Sequence, residues 1–275
     1  MPRPALTRRE FTAALALLPA GLRAAETSQQ HGRRIVDKCI DGLGGDAFRQ
    51  MPGHLETGKA YRFYNDKISG LAPAKIYTKY LETPQGNGDK TLREAQRQVL
   101  GKNDDEAVIF TATEGWDVTY RGAEAIPAET VDQFRERLLT DIFYILRTRM
   151  DEPNTSLFSR GADVVENQPT EIVDYYDADN RNVTVWIHSS TWLPVRQLVK
   201  RWDPLIKDRR EEMTHFTKYR DAGNGVMWPH EIQRDRDDEK TYQLISDAAK
   251  VEVVPDSMFV LPPNVKILKQ QEKPK

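Results

Sequence analysis

The C-terminal half of the chain carries the feature that most constrains the fold, a series of strand-like segments joined by short turns. Each segment has apolar or aromatic residues at alternate positions, and turn-forming residues separate it from the next. The predicted strands span residues 171–176, 182–188, 194–202, 210–220, 226–235 and 241–254. Strands joined in series by tight turns pair with their chain neighbours, so the pattern predicts an antiparallel meander.

Two segments have the apolar spacing of amphipathic helices. Residues 31–50 carry an apolar stripe that includes Cys39, and the pair Gly44 and Gly45 supplies a stop signal. Residues 128–150 carry a much broader apolar face and begin just after a proline. A face that broad needs a large partner surface, so we expect one long helix lying against a sheet or a half-open barrel.

Further strands are predicted in the N-terminal half, where the apolar period changes to two. They span residues 54–64, 75–81, 107–111 and 116–120, and the last two form a hairpin. In the first of them Leu55, Tyr61 and Phe63 share one parity and predict its dry face. Residues 83–89 (TPQGNGD) are typical of a turn. Helix, strands, long helix and six strands predict one α+β domain over residues 26–265, followed by a polar tail at 266–275.

Residues 1–25 have the three-part plan of an export signal. A basic start precedes the short apolar run at 13–22, and small residues then offer a cleavage site. Arg8 and Arg9, followed by Phe11, resemble the twin-arginine signal. We therefore expect the twin-arginine export machinery to be a partner and the mature chain to be soluble in the periplasm. The alternatives are an ordinary secretory signal with a chance arginine pair, or a cytosolic amphipathic start.

Composition excludes several classes of protein. The formal net charge is −2, from 40 basic and 42 acidic residues, which gives no electrostatic case for nucleic-acid binding. Cys39 is the single cysteine, so an intramolecular disulfide and a cysteine zinc cluster are both excluded. No stretch approaches the roughly 18 continuous apolar residues of a membrane span, so no transmembrane segment is expected in the mature chain.

The sequence offers no positive argument for catalysis. None of the common nucleophile, metalloprotease or nucleotide-binding motifs is present. His215 and His230 fall on adjacent predicted strands and would share a face, but no third ligand accompanies them. Acidic clusters such as Asp177 and Asp179 lie in predicted turns and are expected to be solvated. We therefore predict no catalytic residue, no metal and no cofactor.

Aromatic and apolar side chains on the predicted strands and on the predicted long helix suggest a hydrophobic cavity. In a curved sheet with a helix on its concave side, such residues line the space between the two layers. The candidates for its wall are Tyr61, Phe63, Phe143, Trp186, Tyr219 and Trp228. The alternative is that these residues pack against one another as ordinary core.

Several short motifs resemble the outer-membrane lipoprotein carrier (LolA/LolB-like) superfamily of exported bacterial proteins. They are TWLPV at 191–195, YRD at 219–221, GVMWP at 225–229, PDSMF at 255–259 and LP at 261–262. The resemblance covers residues 33–263. It implies an α+β fold in which an incomplete antiparallel β-barrel, a highly curved sheet, has helices packed on its concave side. It also implies a hydrophobic cavity for acyl chains and a non-enzymatic role.

Three functions follow from these observations. The first is a periplasmic binding protein that holds a lipid, an acyl chain or a lipidated partner in its cavity. The second is an envelope protein-interaction or stress-sensing module of the same fold, whose cavity is filled by its own side chains. The third is a periplasmic hydrolase of envelope lipid or glycan, which would need two converging carboxylates or a histidine–carboxylate pair in a deep pocket.

Overall fold

The computed structural model of the chain describes residues 26–85, 92–101, 106–203 and 206–268, without the side chains of 83–85. The predicted export signal at 1–25 lies outside the described residues, as do most of the predicted turn at 83–89 and the tail from 269. The described tail residues are attached to the sheet, because Ile267 forms a parallel bridge with Ala123.

Thirteen strands form one sheet in the described part of the chain. They are β1 Gly53–Tyr64, β2 Lys67–Gln85, β3 Leu92–Leu100, β4 Glu106–Phe110, β5 Gly115–Thr119, β6 Gly122–Ala125, β7 Ser156–Val165, β8 Gln168–Tyr176, β9 Asn182–His188, β10 Pro194–Asp203, β11 Asp208–Asp221, β12 Met227–Arg236 and β13 Glu239–Val251. The six strands predicted in the C-terminal half are confirmed as β8 to β13, with ends that differ by a few residues.

The sheet consists of two antiparallel meanders joined at its centre. Its strand order is β6-β5-β4-β3-β2-β1-β13-β12-β11-β10-β9-β8-β7. The first and last strands of the chain pair in the middle, with His54 opposite Val251 and Arg62 opposite Tyr242. The two edges, β6 and β7, do not pair with each other, so the sheet is an incomplete barrel and the predicted fold class is confirmed.

Three strands were not predicted, and each lacks a clear apolar alternation. The inward-facing positions of β3 carry Glu94, Gln96 and Gln98, which are polar. The edge strand β7 has mostly exposed or half-buried residues, and β6 has four residues. Alternation of apolar and polar residues is the signal of one dry face, so it is missing from a strand with polar inward positions, from a mostly exposed edge strand and from a strand of four residues.

The helices are α1 Ser28–Leu43, α2 Asp46–Gln50, α3 Ala128–Leu139 and α4 Ile142–Tyr144, followed by a π-helical turn at Ile145–Arg149 and a 3-10 turn at Asp256–Phe259. Thr27 begins α1 with a capping box, in which its hydroxyl accepts from the Gln30 N–H at 3.2 Å. The predicted stop is confirmed, since Gly44 ends α1 with a φ of 121°. No described helix is both long enough and apolar enough to cross a membrane.

The prediction of a single helix over residues 128–150 is wrong, because Asp141 interrupts it. Asp141 has an extended backbone, and its carboxylate accepts from the N–H groups of Phe143 at 2.9 Å and Tyr144 at 3.2 Å. Gln197 of β10 satisfies the groups freed by the break: it accepts from the Ile142 N–H at 2.8 Å and donates to the Thr140 carbonyl at 3.2 Å. A capping residue inside an apolar pattern starts a new helix.

The helices pack on the concave side of the sheet in two clusters. In the larger cluster, α1 and the residues after Asp141 pack against β8, β9, β11 and β12, and Cys39 is fully buried there as predicted. In the smaller cluster, Phe134, Leu138 and Leu139 of α3 pack against residues near β3 and β4, with the Phe134 ring stacked on Phe110 at 4.1 Å. A cavity lies between the α3–α4 segment and the inner face of the sheet.

Asp177 is not the solvated turn residue that its sequence context predicts. It is buried at the end of β8, and its carboxylate pairs with Arg181 at 2.9 Å and Arg149 at 3.1 Å. Arg181 also pairs with Glu136 of α3 at 3.0 Å. Burial works to raise the pKa of Asp177, but hydrogen bonds from Arg181 and the charge of Arg149 hold that pKa below its ordinary value.

Candidate functional site

The cavity beneath α3 and α4 has a volume of about 580 Å³. Its walls come from the inner faces of β1–β3 and β10–β13 and from the helical segment around the break at Asp141. The apolar side chains on these walls include Phe134, Leu138, Phe143, Phe216, Trp228, Ile232 and Leu244. Charged and polar side chains share the same space and include His54, Glu56, Glu94, Arg137, Asp141 and Arg234. The cavity is therefore amphipathic.

Three of the six predicted wall residues line this cavity. The Phe143 ring lies 4.8 Å from the Trp228 ring, and both face the cavity from opposite layers. Phe63 lies at the end of β1, with the Lys240 Nζ 4.5 Å from the centre of its ring. The break at Asp141 sets the position of Phe143, because it starts the short helix that carries this residue.

The other three candidates lie elsewhere. Tyr219 packs against the larger core cluster and donates its hydroxyl to the Pro194 carbonyl at 2.9 Å. Trp186 lies on the opposite face of the sheet, where its Nε1 donates to Asp163 at 3.1 Å and Arg196 lies 4.1 Å above its ring. Tyr61 faces outward between Leu71 and Gln243. Alternation along β9 and β1 places the last two side chains outside the barrel.

The prediction of which face of β1 is buried is wrong. The strand buries His54 and Glu56, which are 4% and 5% exposed, rather than the face that carries Leu55. Polar residues point inward here because the cavity lies beside them. The inward-facing polar residues of β1 could not be recognised from the sequence, because in an isolated strand a polar residue predicts a solvent-exposed position.

His54 and Glu56 form a histidine–carboxylate pair, with His54 Nε2 3.5 Å from the Glu56 carboxylate. The other carboxylate oxygen of Glu56 accepts from Ser246 at 3.1 Å. The Nδ1 of His54 has no hydrogen-bond partner among the described residues, and it is shielded from solvent beneath the Trp228 ring 4.3 Å away. A ring nitrogen that water cannot reach is not positioned to act as a general base on a bound water.

The prediction that His215 and His230 share a face of the sheet is wrong. The turn between β11 and β12 occupies residues 222–226, which shifts the pairing by one residue and places His215 opposite Gln233. The shift puts His215 on the outer face, where it contacts Asp235 at 3.1 Å, while His230 points inward. No group of metal-ligating side chains occurs among the described residues.

Two arginines supply positive charge to the cavity. Arg137 comes from α3 and Arg234 from β12, and neither makes an ion pair or a side-chain hydrogen bond with another described residue. Each contacts an aromatic ring instead: Arg137 lies 5.5 Å from Phe134 and Arg234 5.2 Å from Tyr242. Burial, followed by the charge of Arg234, lowers the pKa of Arg137 to about 10.

Two buried carboxyl groups lie near these arginines. Glu94 is 4% exposed and has no hydrogen-bond partner among the described side chains and backbone groups. Burial, followed by the charge of Asp141, raises the pKa of Glu94 well above its ordinary value. Burial also raises the pKa of Asp141, although Arg234 and the two capped N–H groups oppose it. Burial therefore favours the uncharged form of the Glu94 carboxyl group.

The open antiparallel barrel with helices on its concave side is the LolA-like fold that the sequence motifs predicted. The chain matches no protein-family model and no curated protein sequence. Solved structures show the fold instead, and three of them align along most of both chains.

A DUF1329 family protein from Desulfovibrio piger aligns with a TM-score of 0.56 and 10% identity, over 83% of this chain and 97% of that one. A putative outer membrane lipoprotein-sorting protein domain from Vibrio parahaemolyticus has a TM-score of 0.55 and 11% identity, over 84% and 97%. A LolA superfamily protein from Nitrosomonas europaea has a TM-score of 0.52 and 11% identity, over 83% and 97%. Identities this low carry the fold and not the activity.

Proposed function

We propose that the chain is a non-enzymatic binding protein of the periplasm that holds a lipid, an acyl chain or a lipidated partner in the cavity beneath α3 and α4. The observation that supports this function is the cavity itself. Its volume of about 580 Å³ lies within the range of roughly 300–1,000 Å³ that small-molecule sites occupy. Burial of an acyl chain against Phe143, Phe216 and Trp228 supplies the driving force for binding.

The charged side chains favour an amphiphile over a purely apolar ligand. A hydrocarbon that filled the whole cavity would remove water from Glu94, Arg137 and Arg234 without replacing its hydrogen bonds, which is costly. An amphiphile places its chain on the apolar wall and its polar end among these groups. One neighbour of similar fold is named as a putative lipoprotein-sorting domain, which agrees with an amphiphilic cargo.

The cavity weighs against the alternative function, a protein-interaction module whose interior is filled by its own side chains. A module of that kind would have a close-packed interior with few voids larger than a water molecule. The histidine–carboxylate pair that a hydrolase would need is present, but the free nitrogen of His54 is shielded from solvent. Binding is therefore the function that these residues support best.

A tryptophan placed in the cavity tests the proposal. Thr214 of β11 is buried and lines the cavity, whereas Thr217 of the same strand does not. We expect Thr214→Trp to displace the ligand because the indole occupies its volume, and Thr217→Trp to leave binding unchanged. The measurement is native mass spectrometry of the protein purified from periplasm without detergent.

The wild-type protein and Thr217→Trp should carry a mass that dissociates on denaturation and extracts into organic solvent. Thr214→Trp should lack that mass while its thermal unfolding remains cooperative. A wild-type protein with no bound mass, and no uptake of palmitate on titration, would contradict the proposal. Co-purification with one envelope protein and no lipid would support the interaction module instead.

A further inference from the structure

We infer that Arg137 and Arg234 form a binding site for the anionic head group of an acyl amphiphile, a carboxylate or a phosphate, with the acyl chain along the apolar wall. The inference rests on the proposed function and names the chemical class of its ligand. It is carried by the two guanidinium groups in the cavity and by the buried carboxyl group of Glu94 beside them.

The first step is that these arginines differ from others near the cavity. Arg201 donates to Glu212 at 2.9 Å and to the Thr140 hydroxyl at 2.6 Å. Arg147 donates to the Met51 carbonyl at 2.6 Å and lies 3.9 Å over the Tyr80 ring. Arg137 and Arg234 make no such bonds to described residues, so their N–H groups are available to a ligand.

The second step is that both guanidinium groups act on the same space. The charge of Arg234 lowers the pKa of Arg137, and both arginines act on Asp141. Two like charges that line one partly desolvated cavity repel each other, and an anion bound by both reduces that cost. Guanidinium groups bind carboxylate and phosphate oxygens through paired N–H donors.

The third step concerns the acidic side chains in the same region. Asp141 is committed to the cap of α4, where its oxygen accepts from two N–H groups. The Glu94 carboxyl group lines the cavity, is buried without a partner among the described residues, and has a pKa raised by burial, which favours its protonated form. A protonated carboxyl group donates one hydrogen bond, so Glu94 supplies a donor to the head group rather than a competing charge.

The fourth step places the chain of the ligand. Leu138 follows Arg137 directly, and Ile232 lies two residues before Arg234 on the inward face of β12. From there the apolar wall continues to Phe216 and Phe143, whose rings meet edge to face at 5.0 Å. One anionic head group and one acyl chain therefore match the two arginines and the apolar wall of the cavity.

Isothermal titration calorimetry on the delipidated full-length mature protein tests the inference with three probes. They share a C16 acyl chain and are palmitate, palmitoyl-glycerol-3-phosphate and the neutral monopalmitoylglycerol. We expect both anionic probes to bind at least about tenfold more tightly than the neutral one, because charge-assisted hydrogen bonds are strong enough for that difference. The tighter of the two anionic probes identifies carboxylate or phosphate as the preferred head.

Arg137→Gln and Arg234→Gln should each weaken the anionic probes about tenfold or more and change the neutral probe less than about twofold. The matched control is Arg220→Gln on β11, an exposed arginine that does not line the cavity, and it should change neither. Thermal unfolding establishes that each variant folds. Should a variant fail to fold, the preference of the wild-type protein for anionic probes still tests the inference.

Equal affinity of the wild-type protein for anionic and neutral probes would overturn the inference and leave the proposed function standing. Equal weakening of all three probes by the arginine variants would also overturn it, since that result indicates a structural role. Failure of all three probes to bind would contradict the proposed function itself.

Discussion

At the scale of single residues, the polar side chains on the inner face of the sheet set the character of the cavity. Glu94 is the clearest example, because burial and then the charge of Asp141 disfavour its ionisation and raise its pKa. Its folded pKa lies above its unfolded value of about 4.3. Stability from this group is therefore fully present below that value and is lost as pH rises through the folded pKa.

Glu94→Gln should raise the melting temperature at pH 8 and leave it nearly unchanged at pH 4. The amide stays uncharged at both values, so the variant avoids the cost of keeping or losing a proton in a buried site. Each kcal/mol gained corresponds to about 2–4 °C in a protein of this size. Calorimetric melting at the two pH values checks it, with the exposed Glu129→Gln of α3 as control. An equal gain at both pH values would show that ionisation is not the cause.

The site could be predicted from the sequence only in its apolar part. Aromatic residues such as Phe143 and Trp228 predict a buried, apolar environment. Charged residues such as Glu94 and Arg234 give no such signal, because their identity is the same whether they face bulk water or a cavity. The side of the sheet on which Trp186 lies depends on strand register, which no local pattern contains. The polar lining of the cavity therefore required the structure.

At the scale of elements, a buried ion network holds the α3 region to the β8–β9 hairpin. Asp177 at the end of β8 forms ion pairs with Arg149 of the π-helical turn and with Arg181 of the hairpin. Arg181 also forms an ion pair with Glu136 of α3. Arg149 also donates to the Leu139 carbonyl at 2.8 Å, the last residue of α3. The network thus fixes the two segments that flank the break at Asp141.

Asp177→Asn should lower the stability at pH 7 by about 1–3 kcal/mol, because it removes the buried carboxylate that pairs with both Arg149 and Arg181, while Glu152 remains beside Arg149. The pKa of Asp177 is depressed in the folded state, so its contribution is present above the unfolded pKa of about 3.9 and is lost as pH falls through the folded pKa. The gap between wild type and variant should therefore narrow in acid. Urea unfolding at pH 7 and pH 3 measures it, and a gap independent of pH would contradict the account.

Element prediction succeeded where one face of a segment is dry. The strands β8–β13 and the helix α1 show a clear apolar period, and all were predicted. The long helix was predicted without its break because its apolar residues continue past Asp141. The break depends on one side chain within that apolar run, the Asp141 carboxylate that caps α4. The partner that stabilises the break, Gln197, is 55 residues away in the chain.

At the scale of the whole molecule, the predicted export signal determines where the cavity would work. Replacement of both Arg8 and Arg9 by Lys should leave the protein in the cytoplasm, because the arginine pair is the feature that the twin-arginine route reads. Fractionation of expressing cells, with immunodetection of the protein, measures the outcome. The matched control replaces Arg3, which lies outside the pair, and should not alter export. Normal export of the double variant would favour the ordinary secretory route.

The pairing of β1 with β13 at the centre of the sheet has a consequence for folding during synthesis. Strands β1 and β13 pair in the middle, although residues 53–64 leave the ribosome long before residues 239–251. Each meander can assemble from local hairpins, but the two halves can join only when the final strand has been synthesised. Such non-local closure slows folding. Until then the edge of β1 that pairs with β13 is an open template for other chains, so we expect aggregation during synthesis to begin at this edge.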